Sequence, residues 1–163
     1  MTKVSFYEQY LEDADFARIC SELPSDVTDL DLRDNAFTTL APLISILPNL
    51  TSLKKLRLSQ NELNGKEVAQ VIKAAPVLEE LECVSCELSE STSKSISNAI
   101  KKNTTLKFID LSENRLGDGF AEHLQQALRT NTTVMRIVLQ NCEISSNGRQ
   151  LLGEQLSIMR VLI

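Results

Sequence analysis

Residues 106–116, LKFIDLSENRL, decide how this chain folds. Leu106, Ile109 and Leu111 have the near-alternate spacing that puts one side of a short strand into a core, while Phe108, Asp110 and Ser112 face the other way. Asn114 then turns the chain out of the sheet, and its amide can bond the backbone groups that the turn strands. The same frame, L-x-x-L-x-L-x-x-N/C-x-L, recurs as VTDLDLRDNAF from Val27, LKKLRLSQNEL from Leu53, LEELECVSCEL from Leu78 and VMRIVLQNCEI from Val134. Successive copies start 26, 25, 28 and 28 residues apart, and a fixed period of that size marks a solenoid. The slot after each strand is filled in turn by Asn35, Asn61, Cys86, Asn114 and Cys142.

Between the strands lie segments such as GKEVAQVIKAA (65–75) and DGFAEHLQQAL (118–128). In the second, Phe120, Ala121, Leu124, Ala127 and Leu128 recur at the spacing of a one-sided amphipathic helix. One strand plus one helix cannot bury its apolar side alone, so neighbouring units must stack. The predicted fold is an α/β right-handed arc with a parallel sheet on the concave face and helices outside. Residues 1–163 read as a single domain. Residues 27–158 hold the five repeats, and 1–26 form an N-terminal helical cap, since Phe6, Tyr10, Phe16, Ile19 and Leu23 fall at roughly helical spacings. Residues 159–163, MRVLI, echo the strand of the fifth repeat and read either as a C-terminal cap or as a partial sixth strand, whose open edge would allow self-association.

The net charge is −5, with 42% hydrophobic residues. No apolar run approaches the roughly 20 residues of a membrane span, and MTKVSFYEQYLED lacks the layout of a signal peptide. A soluble, intracellular, cytoplasmic protein is expected, in which the Asn-x-Thr tripeptides at Asn49, Asn103 and Asn131 are ordinary loop residues. Cys83 and Cys86 form a C-x-x-C, but register puts Cys83 at an inward strand position and Cys86 in the Asn slot, so both are predicted buried structural thiols. Cys142 lies two rungs from Cys86, about 9.5 Å away and beyond disulfide reach.

Residues for catalysis are scarce. The single histidine, His123, reads as a solvated helix residue, and no phosphate-binding glycine loop is present. Glu80, Glu82 and Asp110 approach one another across adjacent strands, as paired carboxylates for acid–base work would, but an open concave face excludes no water and an acidic patch is the expected reading. No enzyme activity, cofactor or metal site is predicted.

The outward positions carry the information about partners. They run Asp29, Asp31, Arg33; Lys55, Arg57, Ser59; Glu80, Glu82, Val84; Phe108, Asp110, Ser112; and Arg136, Val138, Gln140. Basic rungs interrupted by acidic ones do not make a nucleic-acid groove. Bands of both signs suit a folded protein, with Phe108 flanked by Val84 and Val138 as an aromatic anchor. The candidate partner-binding set is Asp31, Lys55, Arg57, Glu80, Glu82, Phe108, Asp110, Arg136 and Val138.

The repeats resemble those of the leucine-rich repeat superfamily. NTTLKFIDLSENRLGDGFAEHLQQALRTNTTVMRIVLQNCEI (103–144) is similar to the 28-residue class of ribonuclease inhibitor, Ran GTPase-activating protein, tropomodulin and NOD-like receptors. Residues 53–81 look more like the acidic leucine-rich nuclear phosphoproteins, without their acidic tail. The resemblance covers about Val27 to Ile158 and implies a protein-binding module that works through its concave face or rim. It also raises two alternatives, a regulator of a small GTPase or another enzyme, and a cytoskeletal, actin-associated module of the tropomodulin kind.

Overall fold

A computed structural model describes residues 2–153 and 161–163. The strands are β1 (Thr2–Ser5), β2 (Val27–Asp31), β3 (Lys55–Arg57), β4 (Glu80–Glu82), β5 (Phe108–Asp110), β6 (Arg136–Val138) and β7 (Val161–Leu162). They form one open parallel sheet in chain order. The helices α1 (Asp13–Glu22), α2 (Ala41–Ile46), α3 (Gly65–Ala74), α4 (Ser93–Lys102), α5 (Gly117–Leu128) and α6 (Ser146–Leu151) alternate with the strands along the chain. The protein is the α/β solenoid that its repeats predict.

Apart from one irregularity between Thr2 and Lys3 in β1, register is uniform, because each strand is short and one face must be dry. Leu30, Leu56, Leu81, Ile109 and Ile137 lie opposite one another in successive strands, with Val4 and Val161 completing the row at either end. All but Val4 are buried. Behind that row Leu32, Leu58, Cys83, Leu111 and Leu139 form a second, and the helices close the core with Ile72, Ile96, Ile100, Phe120 and Leu124.

The turn after each strand explains the Asn/Cys slot. Asn61, buried, donates to Leu32 O, Leu58 O and Ser59 O and accepts from Asn35 N. Asn114 does the same for Cys83 O, Leu111 O and Ser112 O and accepts from Cys86 N and Leu88 N. At the Cys rungs a thiol replaces the amide, Cys86 Sγ lying 3.3 Å from Leu58 O and Cys142 Sγ 3.1 Å from Leu111 O. The residue before the slot is left-handed at every turn: Glu8, Asp34, Gln60, Ser85, Glu113 and Asn141. Where Cys fills the slot, the following residue, Glu87 or Glu143, is left-handed too.

That signature reveals a rung that sequence reading misses. Glu8 and Tyr10 have the φ pattern of a Cys rung around Gln9, and Phe6 N and Glu8 N donate to Asp31 O and Arg33 O as Leu32 N and Asp34 N do to Arg57 O and Ser59 O. The 1–26 segment is therefore not wholly helical. It is a degenerate repeat, V-S-F-Y-E-Q standing where other rungs have L-x-L-x-x-N, with one helix, α1. Its apolar residues were too few to show the period. Phe16 of α1 stacks on Phe37 with ring centroids 4.1 Å apart and seals this unit onto the next.

At the other end Val161 and Leu162 pair in parallel with Ile137 and Val138. Of the 159–163 segment, residues 159 and 160 lie outside the described residues, and the remainder adopts the strand alternative. Asn103 and Asn131 are not ordinary loop residues: each cross-links consecutive repeats, Asn103 donating to Ile72 O and Asn131 to Ile100 O, while their side-chain oxygens accept from Leu106 N and Val134 N. His123 is half-buried, with Nδ1 2.6 Å from Gly119 O, and is less solvated than expected. Among the described residues no helix is long and apolar enough to cross a membrane.

Candidate protein-binding face

The outward side chains of β1–β7 form the concave face in two columns. The first runs Lys3, Asp29, Lys55, Glu80, Phe108, Arg136, and the second Ser5, Asp31, Arg57, Glu82, Asp110, Val138, Leu162. Eight of the nine residues expected to bind a partner keep part of their side chain accessible on this face, and the ninth, Val138, is only 8% exposed, beside Leu162.

Most of the face charge is already paired. Arg57 reaches Asp29 at 2.6 Å and Glu82 at 3.5 Å; Lys55 reaches Glu80 at 2.6 Å and Glu82 at 3.4 Å. Arg33 clamps Asp31 through two hydrogen bonds of 2.9 and 2.6 Å. Burial works to raise the Asp31 carboxyl, but the hydrogen bonds and charge of Arg33 outweigh it and hold the group below its ordinary value. The hydrogen bond to Glu80 raises the Lys55 ammonium against the opposing effect of its own burial. Glu80 and Glu82 are thus tied to lysine and arginine, so the acidic patch expected with Asp110 is largely neutralised.

The rungs beyond β4 differ. Phe108 is half-buried, and the Arg136 guanidinium sits 6.0 Å from its ring centroid, at the limit of a cation–π contact. Among the described residues, the Asp110 carboxylate accepts its one hydrogen bond from Ser112 N. Among the described residues, neither Asp110 nor Arg136 has an ion-pair partner. Phe108, Asp110 and Arg136 lie on adjacent strands, and Met135, 69% exposed, immediately precedes β6.

Several residues beside this face were not anticipated. Tyr7 lies under Arg33, 5.2 Å from the guanidinium to the ring centroid, and Lys3 begins the first column. Both belong to the degenerate rung, which the left-handed pair around Gln9 marks in the structure and no motif marks in the sequence. Below the sheet, Glu79 receives Lys107 at 2.6 Å and Lys54 at 2.9 Å, and these two cations lower its carboxyl to about 2.

The four cysteines are free and buried. A hydrogen bond with Cys86, together with burial, pushes the Cys83 thiol well up, and burial alone raises Cys20 to about 12. Thiols of this kind are poor nucleophiles. Among the described residues no three His, Cys, Asp or Glu side chains stand together in a way that could hold a metal.

A strand–helix solenoid with an open, charge-banded sheet face defines a repeat-protein class. Residues 102–119 match the leucine-rich repeat family model. The tropomodulin C-terminal domain of Caenorhabditis elegans superposes with a TM-score of 0.67 at 16% identity, covering 90% of this chain and 92% of that one. Actin-binding site 2 of leiomodin-1 gives 0.60 at 14% identity, covering 76% and 77%. An internalin from Listeria monocytogenes gives 0.52 at 19%, covering 90% of this chain and 36% of the internalin. No curated protein sequence matches the chain. The chain has the fold of a leucine-rich repeat solenoid, with one repeat matching the family model.

Proposed function

We propose that the chain is a non-enzymatic binding module whose protein partner docks on the concave face over β5 and β6. The observation that supports this most is the break in charge pairing. From β2 to β4 the outward charges neutralise one another, whereas Phe108, Asp110 and Arg136 offer an aromatic ring and two opposite charges free of ion pairs among the described residues. Aromatic and arginine side chains are the commonest binding anchors. Asp31, Lys55, Arg57, Glu80 and Glu82 act as a pre-ordered flank that sets orientation, and Val138 lies diagonal to Phe108 on β6.

Affinity capture from the source cell, with wild type and Phe108→Ala side by side, tests the reading. A protein retained by wild type and lost by the variant supports it. Equal retention by folded Phe108→Ala and Arg136→Glu proteins moves the site off this face.

A second reading is favoured by the structural neighbours, one of which is an actin-binding site of leiomodin-1 and another a tropomodulin C-terminal domain. Under it the partner is actin. Co-sedimentation with filamentous actin, and pyrene-actin assembly in the presence of the protein, decide it. Recovery of a small GTPase in the capture would instead favour the regulator alternative.

A further inference from the structure

One sheet edge is left open where a strand would fit. Just past β1 the N–H groups of Phe6 and Glu8 donate to Asp31 O at the end of β2 and to Arg33 O in the turn after it. Alternation along a strand therefore turns the peptide groups of Lys3 and Ser5 to the opposite edge, where β1 has no neighbour among the described residues. Between β1 and α1 lies a groove of about 350 Å³ with Val4, Phe6, Leu11, Ile19 and Leu23 in its walls. At every later rung the preceding strand fills the equivalent space, as Val4 does against Leu30 and Leu30 against Leu56.

Charge adds a third constraint. The first column alternates in sign, Lys3, Asp29, Lys55, Glu80. Lys3 is 73% exposed and stands 3.9 Å from Asp29, which Arg57 already holds at 2.6 Å. The next position outward calls for an anion.

We propose that the outer edge of β1 is a strand-docking site. It takes an extended segment of another protein in parallel register with the pattern acidic–apolar–x–apolar, the carboxylate meeting Lys3 and the apolar side chains meeting Val4 and Phe6. Backbone hydrogen bonds to Lys3 and Ser5 supply affinity, and the groove and Lys3 supply selection. The pattern continues an interface the chain already makes, since β2 meets the inner edge of β1 with Asp29-Leu30-Asp31-Leu32. The C-terminal strand of a second copy suits the edge less well, because a cation, Arg160, precedes Val161 in the sequence.

The test uses the full chain and a fluorescein-labelled peptide carrying the β2 sequence VTDLDLRD, read by fluorescence anisotropy. Saturable binding is expected, weakened at least tenfold when the aspartate standing for Asp29 is replaced by lysine in the peptide. Lys3→Glu should reverse that preference without touching the core. Ser5→Pro, which removes an outward N–H and leaves the bonds to β2, should abolish binding. Phe108→Ala should leave it unchanged, so failure here is distinct from failure of the concave-face reading. No binding of the aspartate peptide, equal binding of both peptides, or indifference to Lys3→Glu overturns the proposal. So does concentration-dependent self-assembly in sedimentation that Ser5→Pro removes, which would assign the edge to a second copy.

Discussion

Rungs β2–β4 and rungs β5–β6 stand on the same core and present different surfaces. In the first group five charged side chains, Asp29, Lys55, Arg57, Glu80 and Glu82, form a connected lattice of ion pairs. In the second group the same two columns hold Phe108, Asp110, Arg136 and a covered Val138. Beneath both, the inward residue is a buried leucine or isoleucine. The repeat conserves what the stack needs and leaves the exposed columns free to diverge, so the point at which internal pairing stops is the informative one. A surface whose charges satisfy each other gains little by binding, because any new partner must compete with contacts already made.

The largest expected effect tests whether the core is shared. Leu81 lies between Leu56 and Ile109, fully buried, and truncating a side chain of that kind costs about 2–5 kcal/mol. Leu81→Ala should lower the denaturation midpoint and raise amide exchange in β3 and β5 together. If exchange rose only in β4, the two groups of rungs would be separate cooperative units.

Next in size is the binding contrast. Phe108→Ala should weaken partner binding by about 2 kcal/mol, mainly through faster dissociation, with circular dichroism unchanged. Arg57→Met should behave oppositely, costing about 1 kcal/mol of stability because Asp29 and Glu82 lose their shared cation, and altering binding little. Surface plasmon resonance and urea denaturation on the two variants separate the roles. A larger binding defect in Arg57→Met than in Phe108→Ala would reverse the assignment of the two regions.

These contrasts also mark how far the sequence could be read. Strand register, the Asn/Cys slot and the outward columns followed from the eleven-residue frame, because burial on one face of a short strand leaves no freedom of register. The first rung did not, because Val4, Phe6 and Gln9 stand where other copies have leucines and Asn, and two left-handed residues rather than a motif make its turn. The columns showed which residues face outward but not which of them are occupied: that Arg57 bonds back to Asp29 while Arg136 leans on Phe108 depends on side-chain reach across rungs, which spacing does not encode. The covering of Val138 depends on Leu162, after a helix and 24 residues further along the chain.

The smallest effect concerns the one ion pair that crosses from the first group of rungs to the second among the described residues. Glu79, just before β4, bonds Lys107, just before β5, as well as Lys54, and these cations lower its carboxyl from 4.5 to about 2. A carboxylate depressed in the folded state stabilises it fully above the unfolded value, and that contribution fades as pH falls from about 4.5 toward 2. Glu79 is solvent-accessible, so added salt should screen the pair and move its titration midpoint back up. Carbon-detected NMR of the Glu79 carboxyl across pH 1.5–6 follows this directly. Lys107→Met should raise the midpoint more than Lys54→Met, because the Lys107 bond is the shorter and the larger cause of the shift. Equal shifts in the two variants would mean that the link between the two groups of rungs is no stronger than the link within the first.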